Sequence, residues 1–195
     1  DVYKRQESAK QRLYSREPLI EGKKVCLFAP TFRGENVHNA YYPQNFFSVP
    51  EFMGALTDDW VLILKMHPFI KDKFIVPEGL ENRVFDFSDE REINDILFIT
   101  DVLVTDYSSV IFENAVIGNP AVLYAPDLSD YNGGRGFYYD YSDYSCGEVV
   151  SDFDKLAPAV LSARRGNEKL AAFRKRFVPL CDGKSCERFV NEILK

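Results

Sequence analysis

Apolar positions along the chain follow two spacings. Continuous apolar runs at Lys24–Ala29 (KVCLFA), Trp60–Met66 (WVLILKM), Asp101–Thr105 (DVLVT) and Ala121–Ala125 (AVLYA) predict buried strands, with a shorter candidate at Arg83–Asp86. Between them the period lengthens. The stretch Phe46–Leu56 predicts a helix, and so does Ser88–Thr100, where Ile93, Ile96, Leu97 and Thr100 share one face and Ser88 can cap the start. Ser108–Ile117 predicts a third helix, closed by Gly118-Asn119-Pro120. Pro68 keeps His67 out of a helix, so the strand before it ends in a loop. The Tyr-, Gly- and Asp-rich stretch Pro126–Ser145 predicts a long functional loop. Helices are predicted again at Asp152–Arg164, Asn167–Arg176 and Lys184–Leu194. Strands alternating with helices, each strand apolar on both sides, predict an α/β fold: a Rossmann-like parallel sheet with helices on both faces.

Composition narrows the function classes. The chain has 195 residues, 46% hydrophobic and 28% charged, which suits one domain with a real core. Residues 1–9 read as a fragment end or a sequence scar, and residues 10–195 as a single domain. The longest apolar runs stop short of a membrane span, and no signal peptide opens the chain. The net charge of −6 supplies no field for polyanions, so nucleic acid is not an expected partner. Cys26, Cys146, Cys181 and Cys186 form no CxxC pair; Cys26 reads as a small core residue. A reducing, cytoplasmic setting follows.

Ligands of open α/β sheets sit beyond the carboxyl ends of the strands, so the polar residues that follow strands are the candidates. Thr31 and Arg33, in Pro30-Thr31-Phe32-Arg33-Gly34, can hold a phosphate, although a turn with a solvated arginine accounts for them as well. His67 can bond a phosphate oxygen or protonate a leaving group; a histidine packed beside Pro68 is the plain alternative. His38 lies in a polar loop and reads as exposed. In Thr105-Asp106-Tyr107-Ser108-Ser109-Val110, a strand runs into a helix whose N-terminal amides favour an anion by about 0.3–1 kcal/mol. Simple capping explains one of the serines, but less well Ser108, Ser109 and Asp106 together. Glu113, about one turn on, can accept bonds from two ribose hydroxyls or merely face solvent. Arg135, among the glycines of Asp130–Phe137, adds a cation or a flexible loop. One composite site holding a diphosphate can use all four loops. No Walker A loop or GxGxxG turn is present, and the scattered carboxylates form no metal-ligand cluster, so neither a cofactor nor a metal is expected.

At these residues the chain resembles the CDP-glycerol glycerophosphotransferase family of teichoic-acid primases and polymerases. The matching blocks are LFAPTFRG (Leu27–Gly34), LKMHP (Leu64–Pro68), INDILFITDVLVTDYSSVIFENAVIGNP (Ile93–Pro120), YAPDLSDYNGGRGFYYDY (Tyr124–Tyr141) and DGKSCERFVNEIL (Asp182–Leu194). The family is similar to GT-B glycosyltransferases, in which two Rossmann-like halves face each other across a cleft. The resemblance implies that this chain is the C-terminal, donor-binding half and that an N-terminal half, with acceptor and membrane contacts, has no counterpart here. It implies a CDP-glycerol or similar CDP-polyol donor, a lipid-linked polyol-phosphate acceptor, release of CMP, and peripheral placement at the inner face of the membrane. By the same carry-over, His67 contacts the donor diphosphate or assists the leaving CMP, Arg135 stabilises charge near the transferred phosphate, Ser108 and Ser109 seat the phosphates, Glu113 holds the ribose, and Asp106 orients its loop. A GT-B glycosyltransferase using a nucleotide sugar and an inactive donor-binding fragment are the competing readings.

Overall fold

The computed structural model describes residues 2–134 and 136–193. Six strands form one parallel sheet: β1 (Lys24–Phe28), β2 (Trp60–Leu64), β3 (Val84–Asp86), β4 (Val102–Thr105), β5 (Ala121–Tyr124) and β6 (Glu148–Val150), in the order β3-β2-β1-β4-β5-β6. The helices are α1 (Val2–Arg16), α2 (Val49–Gly54), α3 (Ile93–Leu97), α4 (Val110–Ile117), α5 (Leu128–Gly134), α6 (Leu156–Ser162), α7 (Glu168–Phe177) and α8 (Ser185–Ile193). The Rossmann-like architecture read from the strand and helix spacing is the one observed.

Alternate strand residues serve opposite faces. Val25, Leu27, Val61, Ile63, Leu103 and Leu123 join one core with Leu13 of α1, Ile96 of α3, Ile111 of α4 and Phe173 of α7. Cys26, Phe28, Leu62, Leu64, Val104 and Val122 join the other with Phe52 of α2 and Val160 of α6. Both faces are covered, which is why the strands read as unbroken apolar runs. Cys26 sits in this core as a thiol, and burial raises its pKa well above the ordinary range.

Four local expectations change. Ser88 does not cap a helix: α3 starts only after Glu92, and Ser88 Oγ instead accepts from the Met66 amide at 3.0 Å. The stretch Pro126–Ser145 is not all loop, because its first part winds into α5. The pattern did not mark β6 or α1. The latter packs Ala9 and Leu13, one turn apart, against the sheet and sets Arg12 on Glu90 (2.6 Å) and Asp95 (3.0 Å). No helix among the described residues is long and apolar enough to cross a membrane.

Candidate active site

The strand order reverses between β1 and β4. A crevice must open there, at the carboxyl ends, since the connections from those two strands leave in opposite directions. A cavity of about 260 Å³ lies at this edge. Pro30 lines it after β1, Lys65 to Pro68 after β2, Arg91 and Ile93 at the start of α3, and Ser108, Ser109 and Glu113 from the β4–α4 turn. Its volume falls below the roughly 300–1,000 Å³ of a whole small-molecule pocket.

The anion-binding end is α4. Ser109 stands at its N-cap but makes no side-chain capping bond, and Ser108 Oγ accepts only the Val110 amide, at 3.3 Å. The amides of Ser108 and Ser109 meet no protein acceptor among the described residues. Two N–H donors and the free Ser109 hydroxyl are thus left at a helix terminus carrying about half a positive charge. The expected capping is confined to Ser108. Glu113 is exposed on the same helix and borders the cavity.

His67 is held in one orientation. Its ring packs on Phe32 (4.7 Å) and Phe69 (4.6 Å), and its Nδ1 accepts the Phe69 amide at 3.2 Å. A neutral ring that accepts at Nδ1 carries its proton on Nε2, leaving an N–H to donate. Burial, and then the charge of Lys65, hold the imidazole below its ordinary pKa, so the neutral form dominates near pH 7.

Arg33 departs from expectation. Its guanidinium is turned away from the cavity and bonds Asp127 through Nε (2.7 Å) and Nη2 (2.9 Å), and Asp106 (3.0 Å) and the Thr31 carbonyl (2.6 Å) through Nη1. It also lies over the Tyr107 and Tyr131 rings. Burial alone would lower its pKa, but Asp127 and Asp106 more than reverse this. A guanidinium spent on two carboxylates is not the phosphate cation that the loop sequence suggested. Thr31 likewise does not border the cavity: its amide donates to Asp106 at 2.7 Å, and its Oγ1 is buried without a partner.

Asp106 accepts from Thr31 N, Tyr107 N (2.6 Å) and Arg33, while its carbonyl accepts Tyr141 Oη at 2.8 Å. Burial raises its pKa, against the pull of Arg33 and the amides. In Asp127, by contrast, Arg33 and Tyr107 outweigh burial and hold the carboxyl below its usual range. The network ties the loops after β1, β4 and β5 together, with Asp106 bonded to the Thr31 and Tyr107 amides and to Arg33. Arg135 lies outside the described residues. Lys65 was passed over as a strand residue, and its signal was there: a lysine inside an apolar run, two residues before His67.

A family model described as CDP-Glycerol:Poly(glycerophosphate) glycerophosphotransferase matches residues 1–195. The teichoic acid poly(ribitol-phosphate) polymerase of Bacillus spizizenii is 38% identical over 185 residues, 95% of this chain and 30% of that protein. The teichoic acid ribitol-phosphate polymerase TarL of Staphylococcus aureus is 41% identical over 187 residues, 94% of this chain and 33% of that protein. Structures of the wall teichoic acid polymerase TagF, one of them a variant soaked with CDPG, match with a TM-score of 0.76 at 27% identity, over 95% of this chain and 46% of theirs. The chain therefore spans about a third to a half of the length of these relatives.

Proposed function

This chain belongs to the CDP-glycerol:poly(glycerophosphate) glycerophosphotransferase family, and from that premise we propose that its cavity binds the diphosphate of a CDP-polyol donor for transfer of the polyol phosphate to a hydroxyl of a lipid-linked teichoic-acid or capsule-type acceptor. One observation carries the reading: His67, from the loop after β2, and Ser108, Ser109 and Glu113, from the start of α4, border the same small cavity at the reversal of strand order.

The acceptor hydroxyl attacks the phosphorus nearest the polyol. A new P–O bond forms as the hydroxyl's proton is released to solvent, the bond to the bridging oxygen breaks, and CMP leaves with the electron pair of that bond. Such transfer needs positioning and charge stabilisation more than covalent help. The Ser108 and Ser109 amides and the Ser109 hydroxyl hold phosphate oxygens. Nε2–H of neutral His67 donates a hydrogen bond to the leaving oxygen and stabilises the charge that develops there, while Nδ1 keeps accepting the Phe69 amide. Glu113 reaches the ribose. The acceptor approaches across a cleft shared with a second Rossmann-like half, at the inner face of the membrane where a lipid-linked chain is available.

The test is CMP release by the intact protein, with an acceptor, from CDP-glycerol, CDP-ribitol and UDP-sugars. Release from a CDP-polyol is expected, and His67→Ala and Ser109→Ala are each expected to lower kcat/KM about tenfold or more. Transfer from a UDP-sugar alone would overturn the reading.

A further inference from the structure

We infer that Lys65 is the fixed cation of this site, a diphosphate-binding residue held in a charged but unneutralised state until an anion arrives. The inference rests on the donor-site reading above and names the charge that the reading lacks once Arg33 is committed elsewhere.

Lys65 follows β2 and is 7% exposed, yet it borders the cavity beside His67, Ser108 and Ser109. Its ammonium has three donors, and its one acceptor among the described residues is the Ser88 carbonyl at 3.3 Å. No carboxylate among the described residues lies within ion-pair distance of it. The acidic groups nearest in influence are Asp86, Asp89 and Glu90, and each has another partner. Asp86 accepts the Ser88 amide at 2.8 Å, Asp89 pairs with Arg16 at 2.8 Å, and Glu90 pairs with Arg12 at 2.6 Å. Lys73 adds a like charge.

A buried charge without a counter-ion is costly to keep, and a residue that served packing alone would be better replaced by an apolar one. Arg33 shows the alternative in the same molecule: equally buried, but satisfied by two carboxylates. The unpaired ammonium, the unpaired α4 amides and the neutral His67 converge on one cavity. An anion placed there would satisfy all three. A ligand with phosphates at this point recovers the cost of burying Lys65 as binding energy, whereas a neutral nucleoside recovers nothing.

The test is titration calorimetry of the intact protein and of its Lys65→Met variant with CDP-glycerol, inorganic pyrophosphate and cytidine, alongside thermal melting without ligand. The wild type is expected to bind CDP-glycerol and pyrophosphate. Lys65→Met should weaken both about ten- to a hundredfold and leave cytidine within about twofold. Its ligand-free melting temperature should be unchanged or raised, and Lys65→Arg should recover part of the binding. Equal pyrophosphate and CDP-glycerol affinities in wild type and Lys65→Met would overturn the inference. So would a lowered melting temperature in Lys65→Met together with equal losses for cytidine, which marks a structural lysine. Lys65-dependent pyrophosphate binding with no binding of CDP-glycerol would support this role for Lys65 and sink the donor reading instead.

Discussion

Arg33 and Lys65 occupy neighbouring strands' ends and are buried alike, at 8% and 7% exposure, but they belong to different parts of the molecule's economy of charge. Arg33 closes a network with Asp106 and Asp127. Removing it leaves two carboxylates facing each other out of water. Arg33→Met is therefore expected to cost about 3–5 kcal/mol of unfolding free energy in urea, the range for breaking a buried pair, and a change under about 1 kcal/mol would contradict the network's role. His67 supplies the pH-dependent counterpart. Its folded pKa lies below the ordinary value of about 6.5. The unfolded chain then binds the proton more readily, so this group's contribution to stability is present above pH 6.5 and is lost as pH falls through that value. In a proton NMR titration the His67 ring, assigned by its disappearance in His67→Ala, should titrate below 6.5. It should move upward in Lys65→Met, in part only, because burial is the larger cause. His67, Ser108, Ser109 and Glu113, which the loop sequences named, border one cavity. Arg33 instead meets carboxylates 73 and 94 residues away, at a distance no local pattern can register.

Elements were legible wherever burial on both faces imposed an apolar run. Five of the strands follow from such runs or from the short Arg83–Asp86 stretch, and α4 follows from its stop signal. Gly118 ends that helix at φ 86° in the left-handed region, donating to both Asn114 and Ala115 carbonyls. Gly118→Ala is expected to cost about 1–2 kcal/mol by denaturant unfolding, since the site has room for a methyl group and only the backbone conformation opposes it. β6 escaped notice because it is a three-residue edge strand with only Val150 fully buried. Its position is nonetheless enforced: a Cβ on Gly147 would stand 1.8 Å from the Ala121 carbonyl oxygen. Gly147→Ala should therefore peel β6 from β5, which hydrogen exchange of the Val122–Tyr124 and Glu148–Val150 amides would report as lost protection. Retained protection would show that the backbones can part without cost. The polar helix α1 was unreadable for a different reason. Its arginines pair with Asp89, Glu90 and Asp95, far along the chain, so its face is set by charge as much as by apolar spacing.

At the scale of the molecule, sheet order determines where chemistry can occur. The reversal between β1 and β4 opens the crevice, Ser108 and Ser109 border it at the start of α4, β2 delivers Lys65 and His67 to its wall, and the Arg33 network ties three loops together. The most direct measurement is a crystal structure of the intact protein with CDP-glycerol bound. The diphosphate should lie within about 3.2 Å of the Ser108 and Ser109 amides and of the Lys65 ammonium, with the ribose beside Glu113. A donor bound with its phosphates elsewhere, and this cavity holding only water, would contradict the assignment of the site.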